Sequence, residues 1–327
     1  MSKNQTTDAN PNPAAPLMDS EAQRNVGDAS GMRILVTGAN AGIGFWSSLQ
    51  LAQRGAEVIM ACRNTSKAET AASAIRARVP NAKLRTVGLD VSSLDSVAST
   101  AKMLNGLSHL DVLIANAGMV HTPRTRRSSV DGLELVAATN YFGHFALVAG
   151  LLPALERAGA ARVVTLGSLS TRLVRPHLDD PQLLENYSPW RAYAQSKIMV
   201  QSFAFELDRR LQLASSSIRA LCAHPGYSIS GRTPAVAGIN EPGILKRTGD
   251  TLQAPFTQGK DRGAWPIVRA SLDPKAFALP GPVFYGPRGW VKGGAIVSRP
   301  APITTNRDAA KTIWFAAESA TGNSLLD

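Results

Sequence analysis

Short apolar runs alternate along this chain with stretches whose apolar residues recur every three and four positions. The runs predict strands at about 33 to 37, 57 to 61, 84 to 89, 110 to 115, 161 to 167 and 218 to 223. The three-and-four spacing between them predicts helices, for instance from Gly42 to Arg54, from Ser66 to Val79 and from about Ser129 to Glu156. Such alternation is the pattern of an α/β fold, a doubly wound parallel sheet with helices on both faces. Right-handed crossovers then gather every strand-to-helix loop on one edge of the sheet, where open α/β folds bind ligands.

Two stretches break the pattern. Residues 1 to 30 are rich in Asn, Asp, Ala, Pro and Gln, with almost no large apolar residues, and cannot repay the entropy of ordering. They predict a disordered tail ahead of one domain at 31 to 327, and Lys3 and Arg24 against Asp8, Asp19, Glu21 and Asp28 leave that tail acidic. Residues 231 to 260 have weak periodicity and many Gly, Pro, Thr, Lys and Arg, which predicts a long loop serving as a substrate lid over about 228 to 262. Beyond it Gly263 to Leu272 reads as helical despite Pro266, Gly281 to Pro287 as a short strand and turn, and Thr305 to Ala320 as a closing helix.

Composition narrows the classes. The 327 residues are 44% hydrophobic, enough for a buried core. No run approaches ~18 consecutive apolar residues and the start lacks a basic-then-apolar leader, so neither a membrane span nor secretion is expected. The net charge of +11 is spread along the chain without a recognition motif, so no nucleic-acid partner is expected. Cys62 and Cys222 lie in predicted strands and read as core side chains of a reducing, cytoplasmic compartment. No metal-ligand spacing occurs among the histidines and cysteines, so no metal is expected.

The chemistry gathers at the predicted ligand edge. Arg33-Ile34-Leu35-Val36 runs through Thr37-Gly38-Ala39-Asn40-Ala41-Gly42-Ile43-Gly44 into a helix. A strand turning sharply into a helix leaves unpaired N–H groups and a positive dipole end facing outward, which suits a pyrophosphate. The G-x-x-x-G-I-G spacing departs from G-x-G-x-x-G and resembles the short-chain dehydrogenase/reductase family, whose fold is the Rossmann type. About where an acid would grip an NAD ribose the chain has Cys62-Arg63-Asn64, and Arg63 suits a 2′-phosphate, so NADP(H) is favoured over NAD(H). The resemblance also assigns Gly38, Asn40, Gly42, Ile43, Gly44 and Asn64 to the cofactor, with Asp90-Val91 at the adenine edge; capping the following helix is the other role open to Asp90. Asn116-Ala117-Gly118 matches the N-A-G segment, Asn116 having a partly structural role, and Pro225-Gly226-Tyr227-Ser228-Ile229-Ser230 resembles the family's P-G-x-V-x-T beside the nicotinamide, with Ser228 and Ser230 as contacts. His224 reads as a core histidine.

Tyr193-Ala194-Gln195-Ser196-Lys197 places a phenol and an ammonium four residues apart on one helical face. A nearby ammonium is expected to lower the phenol's pKa toward a value useful for proton transfer. By the resemblance, Lys197 also holds the nicotinamide ribose, Ser168 positions the substrate oxygen, and Asn140 holds a relay water through its backbone and side chain; Ser170 competes for the Ser168 role and a satisfied helix Asn for that of Asn140. Ser168 precedes Tyr193 by 25 residues, against about a dozen in the common form. The extra segment, with Ala61-Cys62-Arg63-Asn64, resembles the retinol-dehydrogenase-like branch.

The expected function is NADP-dependent hydride transfer between nicotinamide and a small carbonyl or alcohol substrate, with Tyr193 as the acid-base group. A non-catalytic NADP-sensing protein and a protochlorophyllide-reductase-like double-bond reductase are the alternatives. Arg124, Arg126, Arg127, Arg172 and Arg175 follow strands at the ligand edge and suggest an anionic or carrier-bound substrate. A homodimer through the long helices is common in the family, though an extended C-terminus can block that face.

Overall fold

The computed structural model describes residues 26–326. An eight-stranded sheet runs through it: β1 (Arg33–Thr37), β2 (Glu57–Cys62), β3 (Lys83–Gly88), β4 (Val112–Ala115), β5 (Arg162–Leu166), β6 (Arg219–Ala223), β7 (Phe284–Pro287) and β8 (Ala295–Val297). The spatial order is β3-β2-β1-β4-β5-β6-β7-β8, with every neighbouring pair parallel except β7 and β8. The order reverses between β1 and β4, and loops on either side of that point form the crevice where doubly wound sheets take ligands. Strand β8 falls in a glycine-rich stretch where no strand was expected.

Helices α1 (Gly42–Ala52), α2 (Thr65–Arg76), α3 (Leu94–Leu104), α4 (Leu135–Glu156), α5 (Pro189–Leu213), α6 (Ile244–Leu252), α7 (Trp265–Leu272) and α8 (Arg307–Thr321) complete the fold. Period-2 alternation along β1 sends Ile34 and Val36 into one core with α1, α2 and α7, and Leu35 into the other with α3, α4, α5 and α8. Strands β4, β5 and β6 are buried along their whole length, which is why they read as unbroken apolar runs.

The long helix begins at Leu135 and not at Ser129. Ser129 to Gly132 forms a turn with Gly132 at φ +79°, a conformation that cannot continue a right-handed helix. Glu134 then caps α4, its carboxylate accepting from the N–H groups of Val136 and Ala137 at 3.0 and 2.7 Å. Residues Ala138–Phe142 within α4 take a π-helical turn. Helix α4 is long and apolar enough to cross a membrane, but 72% of its most apolar window is buried inside the protein, and packing in the second core accounts for its composition.

The tail boundary also moves. Val26 and Ala29 are buried, and the Ala29 N–H donates to the Arg54 carbonyl at 3.0 Å, so 26–30 belongs to the packed domain. The rest of the expected tail lies outside the described residues. The expected lid loop is likewise partly regular: it contains α6, and Asp250 on that helix accepts from the Gly231 N–H at 2.8 Å.

Helix α8 lies on α4 and α5. Its Trp314 sits 5.3 Å from the Phe145 ring and 5.7 Å from that of Phe203, while the Arg210 guanidinium covers the indole at 4.0 Å. Tyr141 donates to the Ile313 carbonyl at 3.0 Å. The long-helix face considered for dimerisation is therefore covered by the chain's own C-terminal helix.

Candidate active site

The β1–α1 turn is shaped by glycines at two kinds of position. Gly38 and Gly42 have φ of +65° and +57°. At Gly44 a methyl group would lie 2.3 Å from the Gly38 carbonyl oxygen and 2.5 Å from Asn116 Nδ2, so no larger residue fits. Asn116 holds the turn from the next strand, Nδ2 donating to the Thr37 carbonyl at 2.7 Å. Thr37 Oγ1 accepts the N–H groups of Asn116 and Ala117 at 2.9 and 2.8 Å. Helix α1 starts after Ala41 with no side-chain cap, which leaves its first N–H groups to an external anion. This cradle fits the pyrophosphate of a dinucleotide. Asn40 and Ile43 are half-buried at its rim. Cys62 lies beneath it, and burial pushes its thiol up to about 11, which makes it an inert packing group.

At the β2 and β3 ends, Arg63 Nη1 lies 3.9 Å from Asp90 Oδ2, with the Arg63 side chain 75% exposed and free to meet a ligand. The other Asp90 oxygen accepts from the Ser92 N–H and hydroxyl at 2.9 and 2.6 Å, while Ser93 is the residue that caps α3. The Asn64 side chain caps α2, its Oδ1 accepting from the Lys67 N–H at 2.8 Å. The Val91 carbonyl packs on Gly143 of α4, where a methyl group would lie 1.7 Å away.

The phenol and the hydroxyl come together between β5 and α5. Tyr193 Oη donates to Ser168 Oγ at 3.2 Å, and Ser170 Oγ lies 3.0 Å behind the same Ser168 oxygen. The nearer hydroxyl is thus that of Ser168, and Ser170 supports it. Lys197 Nζ donates to the Leu166 carbonyl at 2.8 Å, and burial lowers its pKa to about 8. Burial holds the Tyr193 pKa above the ordinary phenol value, the Ser168 hydrogen bond opposing it. The residues between Ser168 and α5 are tied back by Gln195, which accepts from the His177 N–H at 2.8 Å and donates to the Asp180 carbonyl at 2.9 Å.

Asn140 stands in the π-turn of α4. Its amide is used on both sides: Nδ2 donates to Ser196 Oγ at 2.8 Å and to the Met119 carbonyl at 3.2 Å, and Oδ1 accepts from the Met119 N–H at 2.6 Å. The side chain therefore locks α4 to α5 and to the β4 loop. The Asn140 backbone carbonyl lies 3.2 Å from His144 Nδ1, whose Nε2 is 2.9 Å from Thr37 Oγ1. A carbonyl only accepts, so Nδ1 carries the proton and Thr37 donates to Nε2. Burial lowers His144 to about 4 and keeps it neutral. Thr37 and His144 were missed in the sequence, where the only signal is the four-residue spacing from Asn140 to His144. Gly118 packs against Asn140 Oδ1 and Lys197 Nζ, 3.2 and 3.7 Å from where its methyl would be.

After β6 the chain turns at Gly226, φ +65°. Ser228 Oγ donates to the Pro225 carbonyl at 2.8 Å, and the Ser230 carbonyl accepts from Asn240 Nδ2 at 3.3 Å. His224 is buried and stacks on Phe284 at 5.0 Å, with its pKa lowered to about 4 by that burial. Of the five arginines near the edge, Arg126 donates to the Gln182 carbonyl at 3.1 Å, and Arg172 covers Trp290 at 4.3 Å. Arg124, Arg127 and Arg175 are exposed. Among the described residues no group of three His, Cys, Asp or Glu could hold a metal ion.

Known proteins carry the same pattern. The family model for short chain dehydrogenases matches residues 32–239. Human retinol dehydrogenase 13 is 33% identical over 296 residues, 89% of this chain and 84% of its own length. The mouse protein of the same name is 38% identical over 202 residues, 61% of this chain but 59% of its own length. A crystal structure of an uncharacterised protein from Mycobacterium paratuberculosis superposes with a TM-score of 0.74 at 34% identity, covering 92% of this chain and 97% of that one. With the glycine turn, the Tyr193–Ser168 contact and Lys197 on one sheet edge, the chain belongs to the short-chain dehydrogenase family of NAD(P)-dependent oxidoreductases, in its retinol-dehydrogenase-like branch.

Proposed function

We propose that this protein is an NADP-dependent oxidoreductase that interconverts a carbonyl and an alcohol, with Tyr193 as the proton donor and acceptor. The observation that carries this reading is the 3.2 Å contact between Tyr193 Oη and Ser168 Oγ, beside the glycine turn. A bound nicotinamide supplies or accepts the hydride. The chain's own residues do the rest. Ser168 Oγ donates to the substrate oxygen and holds it against Tyr193, whose proton passes to that oxygen as negative charge develops on it. Lys197, buried beside the β5 carbonyl, brings a positive charge to this pocket and would hold the ribose of a bound cofactor. The Asn140 carbonyl, held by His144, would anchor a relay water on the path that returns the proton from solvent. Proximity and preorganised donors account for most of the acceleration in such a site.

The preference for NADP is supported by Arg63, exposed just after β2, which ends at Cys62 and not at an acid; a guanidinium there can fork onto a 2′-phosphate. Asp90 beside it orients that guanidinium. The exposed Arg124, Arg127 and Arg175 favour an anionic substrate or carrier, supported if kcat/KM falls with added salt. Cytoplasmic residence is supported by two unpaired, buried thiols. The test is cofactor oxidation with NADPH and NADH against retinoid, steroid, polyketide and aromatic carbonyls. Turnover with at least one class and a preference for NADPH is expected; a chain that binds the cofactor but turns over no carbonyl or alcohol overturns the reading.

A further inference from the structure

Lys260 opens a single helical turn, Lys260–Gly263, at the end of the lid segment. That turn lies across α1. Gln50 Nε2 donates to the Asp261 carbonyl at 2.7 Å, and Ile43 Cδ1 lies against Gly263. The Lys260 backbone is fixed as well, its N–H donating to Thr233 Oγ1 at 2.8 Å. From there the side chain runs over the first residue of α1: a methyl group on Gly42 would lie 4.0 Å from Lys260 Cδ, and the ammonium is two bonds further on.

Two facts make this cation unusual. It is half-buried, yet among the described residues its ammonium forms no hydrogen bond or ion pair, whereas neighbouring Lys246 is paired with Asp250 at 3.0 Å. Burial and then the Lys246 charge lower its pKa, as expected of a cation held where only an incoming anion would stabilise it. The uncapped N–H groups of α1 converge on the same spot. Nothing in the sequence marks Lys260, since its stretch reads only as lid.

We propose that Lys260 closes on the pyrophosphate of the bound dinucleotide, so that the lid segment is part of the cofactor site. The inference rests on the family's use of NAD(P), not on any substrate.

The experiment titrates the full chain, without substrate, with NADPH, ADP and adenosine 2′-monophosphate, following tryptophan fluorescence or heat. Lys260→Ala and Lys260→Gln are expected to raise Kd about tenfold or more for NADPH and ADP, the size of one charge-assisted hydrogen bond. The ligand without a pyrophosphate is expected to keep its Kd within about twofold, and Lys260→Arg to restore most of the loss. Unchanged affinity for NADPH and ADP, or an equal loss for all three ligands, overturns the proposal. Because no carbonyl is present, this result is independent of whether the chain reduces one.

Discussion

Tyr193 Oη and Ser168 Oγ lie 3.2 Å apart although 25 residues separate them in the chain. The end of β5 and the second turn of α5 carry the two groups, so the contact depends on how that strand and that helix pack and not on the loop between them. Tyr193→Phe removes only the hydroxyl and is expected to lower kcat by about 10²–10⁴-fold, leaving cofactor Kd unchanged. Ser168→Ala is expected to lose less, because Ser170 stands behind it. Steady-state kinetics with a cofactor titration on each variant checks both, and near-normal turnover in Tyr193→Phe removes the phenol from the mechanism.

Lys197 titrates at about 8 in the free protein because its ammonium is buried. A lysine lowered in this way is charged below that value and neutral above it. Carbonyl reduction, which needs the positive charge, is expected to show kcat/KM for NADPH falling as pH rises through about 8, since that ratio reports groups of the cofactor-free enzyme. Lys197→Arg keeps the charge at all working pH values and moves the break upward, whatever it costs in rate.

Arg63 faces solvent beside Asp90. Arg63→Ala is expected to raise the KM for NADPH by about tenfold or more while leaving that for NADH nearly unchanged, as for the loss of one charge-assisted pair. Equal losses for the two cofactors would separate Arg63 from the 2′-phosphate.

His144 and His224 are both buried and neutral, with pKa values lowered to about 4 from an ordinary 6.5. The unfolded chain binds protons at these sites between pH 6.5 and 4 while the folded chain does not, so their contribution is complete above about 6.5 and is lost as pH falls toward 4. Thermal unfolding is expected to show Tm dropping across that window, and His224→Gln to flatten the drop. A Tm independent of pH there would contradict the burial of the two rings.

Trp314 fills the space between Phe145 and Phe203. Trp314→Ala is expected to cost about 3–5 kcal/mol of stability by denaturant titration, the usual cost of emptying a large aromatic site. Deleting 307–327 is expected to expose the α4–α5 face and drive self-association, measurable by sedimentation.

What the sequence determined by itself is whatever depends on neighbours along the chain. The apolar run Arg33-Ile34-Leu35-Val36 marked a strand, the glycine spacing announced a turn into α1, and the four-residue step from Tyr193 to Lys197 put both groups on one side of α5, because strand and helix periods are local geometry. The tertiary structure decided the pairings between distant segments. Lys197 turns to the Leu166 carbonyl, the Asn140 amide is consumed by Met119 and Ser196, Asn64 caps a helix, and α8 covers the long helices. Backbone carbonyls and N–H groups are the same at every residue, so a sequence does not show which of them a polar side chain will meet; packing selects the partner. The same is true of Lys260, whose place over Gly42 follows from where the lid crosses α1.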